Sequence, residues 1–407
     1  MKKSYLMMAA AATMFAACTQ ADFVNDIPAS APKAIDFKSP FIGKSTRAEN
    51  SSSNYTLKFS DHHNSFAVWG YKSTADEPVF NKKTVNVTLG NQAGSEIYKY
   101  DGLVYWDEGA TFYQFYAAAP AEHNWEFVAP PSSDVNKETG AFRTSIVLDG
   151  TRINQGKGGH LESLKPEPII GASGESETVA NQDLLIAAPC KPTIGETVGF
   201  DFIHILSRLN IVVSKRQGLN QEVRSFEVSV HNMMMEGDFN EAAALEGDIL
   251  ANGTTKRWTT KGNKASYTAT ASEGAIVQSG AERYVIQTLV VPQSASFESV
   301  AINGSNISSA QAPYLYVRYG IQNGIDGEGE PTFEKFEKYY NLAQIFGVTG
   351  VPGNESLAFN EGWENTLTLT IGPSSIDFKA NVATWATGTK KENSLGNGQT
   401  QNTNQGE

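Results

Sequence analysis

The chain has 407 residues, with 44 acidic against 32 basic side chains and a formal charge of -12. That balance repels phosphate and argues against nucleic acid as a partner. Only two cysteines are present, Cys18 and Cys190, which excludes a disulfide-dense scaffold, and a chain of this length can bury cores without one.

Lys2 and Lys3 open the chain, and residues 5–17 are apolar or small. That run is shorter than the roughly 20 residues that cross a bilayer, and no stop-transfer flank follows it. Ala16 and Ala17 precede Cys18, the order in which a bacterial lipoprotein signal ends. The peptidase accepts small side chains there, and the thiol accepts the lipid. Residues 1–17 are therefore read as an export signal and Cys18 as the lipidated residue. An ordinary secretory signal with an incidental cysteine is the plainer alternative. With Lys2 and Lys3 removed, the charge of -12 becomes -14. If Cys18 is acylated, Cys190 has no disulfide partner within the chain.

Residues 19–33 are polar with Pro28 and Pro32, as a tether would be. In residues 34–38 Ile35 and Phe37 alternate with Asp36 and Lys38, which predicts a short strand. Residues 43–54 are small and polar around Arg47 and Ala48, the composition of an exposed linker.

From there the chain reads as strands. Runs at residues 66–71, 84–89, 98–106, 111–118, 145–148, 183–187, 203–214, 225–231, 284–291, 314–321 and 366–371 are rich in β-branched and aromatic residues. Such residues fit a pleated, half-buried surface. Period-2 alternation broken by turn residues predicts an all-β protein of β-sandwiches. Residues 334–345 are the best helix candidate, and residues 240–245 could form one turn. Residues 155–178 are Gly-rich and read as a long surface loop. Residues 390–407 hold one apolar residue, Leu395, and are expected to be disordered.

No catalytic constellation survives inspection, and no cofactor or metal is predicted. His62 and His63 are adjacent and would face opposite ways in a strand. His123, His160, His204 and His231 lack metal-ligand spacing. His204 lies in an apolar run and reads as a packed sheet residue, and Cys190 as a half-buried structural thiol. Tyr105, Trp106, Tyr113, Phe115 and Tyr116 could line a sugar site beside two acids, but alternation favours core packing. Met233, Met234 and Met235 suit a loop or a strand edge.

Several segments, taken in order, resemble the fimbrillin family of Bacteroides-type bacteria, in particular its Mfa-like branch. They are FAVWGY at residues 66–71, Tyr105-Trp106, FYAAAP at 115–120, DLLIA at 183–187, FIHILSRL at 202–209, residues 226–240 and VVPQ at 290–293. The closing stretch runs from Gly362 through residues 366–371 to Ile376-Asp377-Phe378 and Trp385. The resemblance covers most of the chain after the signal.

It implies two tandem transthyretin-like β-sandwiches with little helix, at residues 54–199 and 200–386. Residues 18–53 precede them as tether, plug strand and processing linker, and a polar tail at 387–407 follows. It further implies a surface-exposed outer-membrane lipoprotein, held through Cys18, with no enzymatic activity. A protease would cut between Arg47 and Ala48, removing the lipid and a plug strand holding Ile35 and Phe37. Another fimbrial subunit, identical or different, would then supply a donor strand holding Ile376, Phe378, Val382 and Trp385, and a host or bacterial surface ligand would be bound. Plug and donor share one tetrapeptide, Ile-Asp-Phe-Lys, at residues 35–38 and 376–379. On this reading Phe378→Asp should block assembly and leave the uncleaved monomer folded. The alternatives are a glycan-binding or anchor lipoprotein that never polymerises and, behind it, a carbohydrate hydrolase.

Overall fold

The computed structural model describes residues 32–38, 40–42, 59–61, 63–91, 95–150, 182–244, 257–270, 283–296, 313–345, 356–373, 375–384 and 390–395. Cys18, Arg47, Ala48 and Trp385 lie outside the described residues, as does the predicted loop at 155–178. Within them the protein is nearly all strand, as its β-branched and aromatic runs require. The first half gives β1 (Phe41–Ile42), β2 (Ser65–Lys72), β3 (Ala75–Leu89), β4 (Glu96–Lys99), β5 (Tyr113–Ala119), β6 (Glu126–Val128), β7 (Ala141–Val147), β8 (Leu185–Ala187) and β9 (Asp201–His204). The second half gives β10 (Ser207–Lys215), β11 (Val223–Asn240), β12 (Trp258–Thr270), β13 (Arg283–Val290), β14 (Gln293–Ser296), β15 (Tyr314–Ile325) and β16 (Pro331–Asn341). A single helical turn, α1 (Leu342–Ile345), leads to β17 (Ser356–Phe359), β18 (Trp363–Ile371), β19 (Ile376–Thr384) and β20 (Lys390–Leu395).

These strands make a seven-stranded sheet in the order β1-β9-β8-β5-β2-β3-β4 and a five-stranded sheet in the order β13-β10-β18-β19-β20. A six-stranded sheet runs β16-β15-β11-β7-β6, with β12 on the other edge of β11, and β14 pairs with β17 alone. The sheets do not divide at residues 199 and 200. β9 belongs to the seven-stranded sheet, whereas the β6–β7 hairpin joins β11, with Val147 opposite Glu236 and Arg143 opposite Asn240.

The seven-stranded sheet is covered on both faces, so β2 is buried without a break from Phe66 to Tyr71 instead of alternating with polar residues. Phe66 and Val68 enter one core; Ala67, Trp69 and Tyr71 enter the other. The second core continues into the six- and five-stranded sheets, where the Trp69 ring stacks on Phe127 of β6 at 5.2 Å. Gly70 sits where a Cβ would come within 2.8 Å of the Phe115 ring, so the close approach of β2 and β5 needs a residue without a side chain.

Four local expectations change. Residues 334–341 are strand, not helix, because pairing with β15 along its length satisfies their backbone groups; only α1 remains helical. Met233 to Met235 lie within the eighteen-residue β11, not in a loop or at an edge; Met233 and Met235 are core residues and Met234 is half-buried on the other face. Of residues 98–106, only the first two fall in a strand. Finally, residues 390–395 of the expected disordered tail form β20, which pairs with β19 and covers an otherwise open edge.

Candidate functional site: the amino-terminal segment and its groove

The segment before Arg47 is woven into the seven-stranded sheet. Ala34 bridges Tyr105 antiparallel, Phe37 bridges Val198 parallel, and β1 runs parallel to β9 with Phe41 opposite Asp201. The Ile35 amide donates to the Val104 carbonyl at 2.8 Å, and Trp106 donates to Lys33 at 3.0 Å. On the other side Val198 donates to Asp36 at 2.8 Å, and Lys38 donates back to Val198 at 2.9 Å. The segment thus has strand-like partners on two flanks.

Its side chains alternate as the sequence predicts. Ile35 is 0% and Phe37 7% exposed, while Asp36 and Lys38 face water. Phe37 meets four rings: Phe66 at 6.1 Å, Phe80 at 5.9 Å, Tyr100 at 5.7 Å and Phe200 at 6.0 Å between centroids. Burying two such side chains is worth about 1.5–3 kcal/mol each. Tyr100 adds a latch: its hydroxyl donates to the Ile35 carbonyl at 2.7 Å. Burial pushes that phenol above its ordinary pKa, so it remains a donor. A Cβ on Gly199 would overlap Lys38 Cε, so the lysine stem lies across a glycine.

The second Ile-Asp-Phe-Lys segment opens β19. Ile376 pairs with Ile371 and Phe378 with Leu369, and both side chains are buried. The Phe378 ring meets Tyr340 edge-on at 4.5 Å, and Asp377 forms an ion pair with Arg216. Val382 of β19 pairs with Asn365 on one side and Lys391 on the other. The two tetrapeptides bury the same alternate residues but in different cores: Ile35 and Phe37 in one, Ile376 and Phe378 in the other. This corrects the expectation for Phe378→Asp, because that change would place a carboxylate in the monomer's own core.

The other candidates are structural. Trp106, Tyr113, Phe115 and Tyr116 are buried and build core, which leaves Tyr105, 46% exposed, as the one ring of the five open to a sugar. His204 is buried with its Nδ1 2.7 Å from an Asp183 carboxylate oxygen. Cys190 is half-buried, its Sγ donating to the Gly199 carbonyl at 3.2 Å, and burial pushes its thiol above the ordinary pKa. Among the described residues no group of three or more His, Cys, Asp or Glu is placed to hold a metal ion. No helix among them is long and apolar enough to cross a membrane. Sequence reasoning missed Tyr100 and Phe200 as groove residues. Tyr100 alternates with Tyr98 and Phe200 with Phe202, but only the fold brings them to Phe37.

A family model described as fimbrillin-like matches residues 46–385. No curated protein matches the sequence. Among solved structures the chain is similar to a candidate cell adhesion protein from Bacteroides uniformis, with 14% identity, a TM-score of 0.43, and coverage of 87% of this chain and 99% of that one. A candidate cell adhesion protein from Bacteroides ovatus has 11% identity and a TM-score of 0.44, with 87% and 98% covered. The tip fimbrial protein Mfa3 from Porphyromonas gingivalis, truncated at its C-terminus, has 10% identity and a TM-score of 0.36, with 80% and 95% covered.

Proposed function

The chain belongs to the fimbrillin-like family, and on that premise we propose that it is a cell-surface fimbrial subunit whose amino-terminal segment is a removable plug. It reaches the outer membrane as a lipoprotein held through Cys18 and does no catalysis. A protease cuts between Arg47 and Ala48, and the lipid leaves with the segment that carries Ile35 and Phe37. The observation that carries this reading is the burial of those two side chains, on backbone bonds to residues 104, 106 and 198, twelve and ten residues before Arg47.

Loss of the segment would uncover the rings of Phe66, Phe80, Tyr100 and Phe200 and the backbone groups of Val198. A sheet edge with an apolar groove accepts an added strand. The strand must bring the same alternation, since a slip by one residue reverses its faces. Residues 376–379 offer it, with Val382 and Trp385 continuing the donor. β19 would have to leave its own sheet, where it lies next to the last strand, so release breaks its ladder with β18 while the β19–β20 pair can stay together. Head-to-tail joining of this kind does not close and so builds a fibre.

A second reading rests on β20. With β18 and β20 on its two edges, β19 is paired on both sides from Phe378 to Ala383, as suits an anchor or terminal subunit that keeps its donor. Limited trypsin digestion, amino-terminal sequencing and non-boiled gels separate the two. A new terminus at Ala48 with an oligomer ladder is the expected result. Cleavage at Ala48 without any ladder favours the anchor, and a different terminus removes the role of Arg47.

A further inference from the structure

One face of the six-stranded sheet departs from the way this chain builds its other water-facing strands. On β18 the residues alternating with buried Leu367, Leu369 and Ile371 are Thr366, Thr368 and Thr370. On β3 those flanking buried Val85 and Val87 are Thr84, Asn86 and Thr88. On β15 those alternating with buried Leu315 and Val317 are Tyr314, Tyr316 and Arg318. Strand pairing sets them in rows across β11, β15 and β16: Ser229, Tyr316 and Tyr339 in one, Glu227, Arg318 and Glu337 in the next.

The rings are contiguous. His231 stacks on Tyr314 at 4.7 Å, Tyr314 meets Tyr339 at 6.4 Å, and Tyr339 meets Tyr316 at 5.0 Å. All four are half-buried, so each keeps part of its ring in solvent. Beside them Arg318 is held by Glu227 at 2.6 Å.

We propose that this face is a binding platform for an uncharged oligosaccharide. Cross-strand aromatic pairs contribute roughly 0.2–1 kcal/mol to a sheet, and phenylalanine would serve for that alone. Tyrosine adds a hydroxyl at the edge of an apolar ring, the combination used where one side of a contact is dry and the other wet. A sugar ring is complementary to it: one face carries C–H groups that lie on an aromatic ring, and its rim carries hydroxyls that both donate and accept. Glu227, Glu337 and Arg318 supply acceptors and donors for that rim. Two carboxylates to one guanidinium disfavour an anionic ligand, and the guanidinium between them disfavours a cationic one. A peptide bound as a β-strand would add to a strand edge, not to this face. Adjacent strands lie about 4.8 Å apart, so the platform is roughly 10 Å wide and suits a ligand laid flat. The inference does not depend on plug removal or polymerisation.

The test is electrophoresis of the full chain through native gels containing laminarin, mannan, xylan or galactomannan, with titration calorimetry on hexasaccharides of any that retard it. Retardation by at least one is expected. Tyr316→Ala and Tyr339→Ala should each weaken binding by about tenfold or more, while Tyr316→Phe, which keeps the ring and loses only the hydroxyl, should weaken it by less than the alanine change. Thermal unfolding of each variant keeps folding defects apart from binding defects. No retardation by any polysaccharide overturns the proposal, as does unchanged binding by folded alanine variants. Binding of poly-lysine alone, lost in salt, would make the face a cation site and overturn it too. Self-association abolished by the same variants, without polysaccharide binding, would make it a contact between subunits and equally overturn it.

Discussion

The ring of Phe37 lies nearly parallel to that of Phe200, with centroids 6.0 Å apart and 18° between their planes. A residue from before Arg47 therefore completes a core whose other wall comes from well beyond it in the chain. Phe37→Ala should lower the stability of the uncleaved protein by about 3–5 kcal/mol. In protein cut after Arg47 and freed of the segment, the difference should vanish. Urea unfolding of both forms measures it.

Tyr100→Phe keeps the ring against Phe37 and removes the hydroxyl that the Ile35 carbonyl accepts from. The expected loss is about 1 kcal/mol, concentrated in the amino-terminal segment. Hydrogen exchange should show faster exchange at Ile35 and Trp106 and little change in β10 or β18.

Phe378→Asp puts a charge against Tyr340 in the core of the monomer. It should destabilise the intact chain by more than about 3 kcal/mol. Asp377→Asn is the gentler probe, since it disturbs only the half-exposed ion pair with Arg216 and should cost no more than about 1 kcal/mol. Thermal unfolding of the two variants should rank them in that order.

The alternation of Ile35 with Phe37, and of Ile376 with Phe378, predicted which side chains are buried in each segment. It could not say in which core, because that depends on pairings between residues far apart in sequence. Residues 334–341 misled for a related reason. Phe336, Tyr339 and Tyr340 are spaced as on a helix face, yet Phe336 and Tyr340 pack inward while Tyr339 faces outward with Tyr316, an arrangement that only pairing with β15 dictates. Tyr100 and Phe200 each alternate with a second aromatic, Tyr98 and Phe202, but nothing local says that both would meet Phe37.

His123 is held down to about 4, chiefly by burial, with Lys82 adding to the effect and Glu122 opposing it. Its Nε2 lies 2.6 Å from the Thr144 hydroxyl. The unfolded chain, with an ordinary histidine pKa near 6.5, takes up this proton first. Stability from this group is therefore complete above pH 6.5 and falls as pH drops from 6.5 towards 4, by roughly 3 kcal/mol at most. His123→Gln should flatten that part of the curve. Urea midpoints between pH 4 and pH 7 check it.

The β6–β7 hairpin has a mechanical meaning. It comes from the first half of the chain and pairs with β11 of the second, from Val147 opposite Glu236 to Arg143 opposite Asn240. A subunit pulled at both ends in a fibre would carry load across that ladder as well as through the peptide linking β9 to β10. The two halves would resist tension as one body, and the first break would be a row of backbone hydrogen bonds failing together instead of a hinge swinging open.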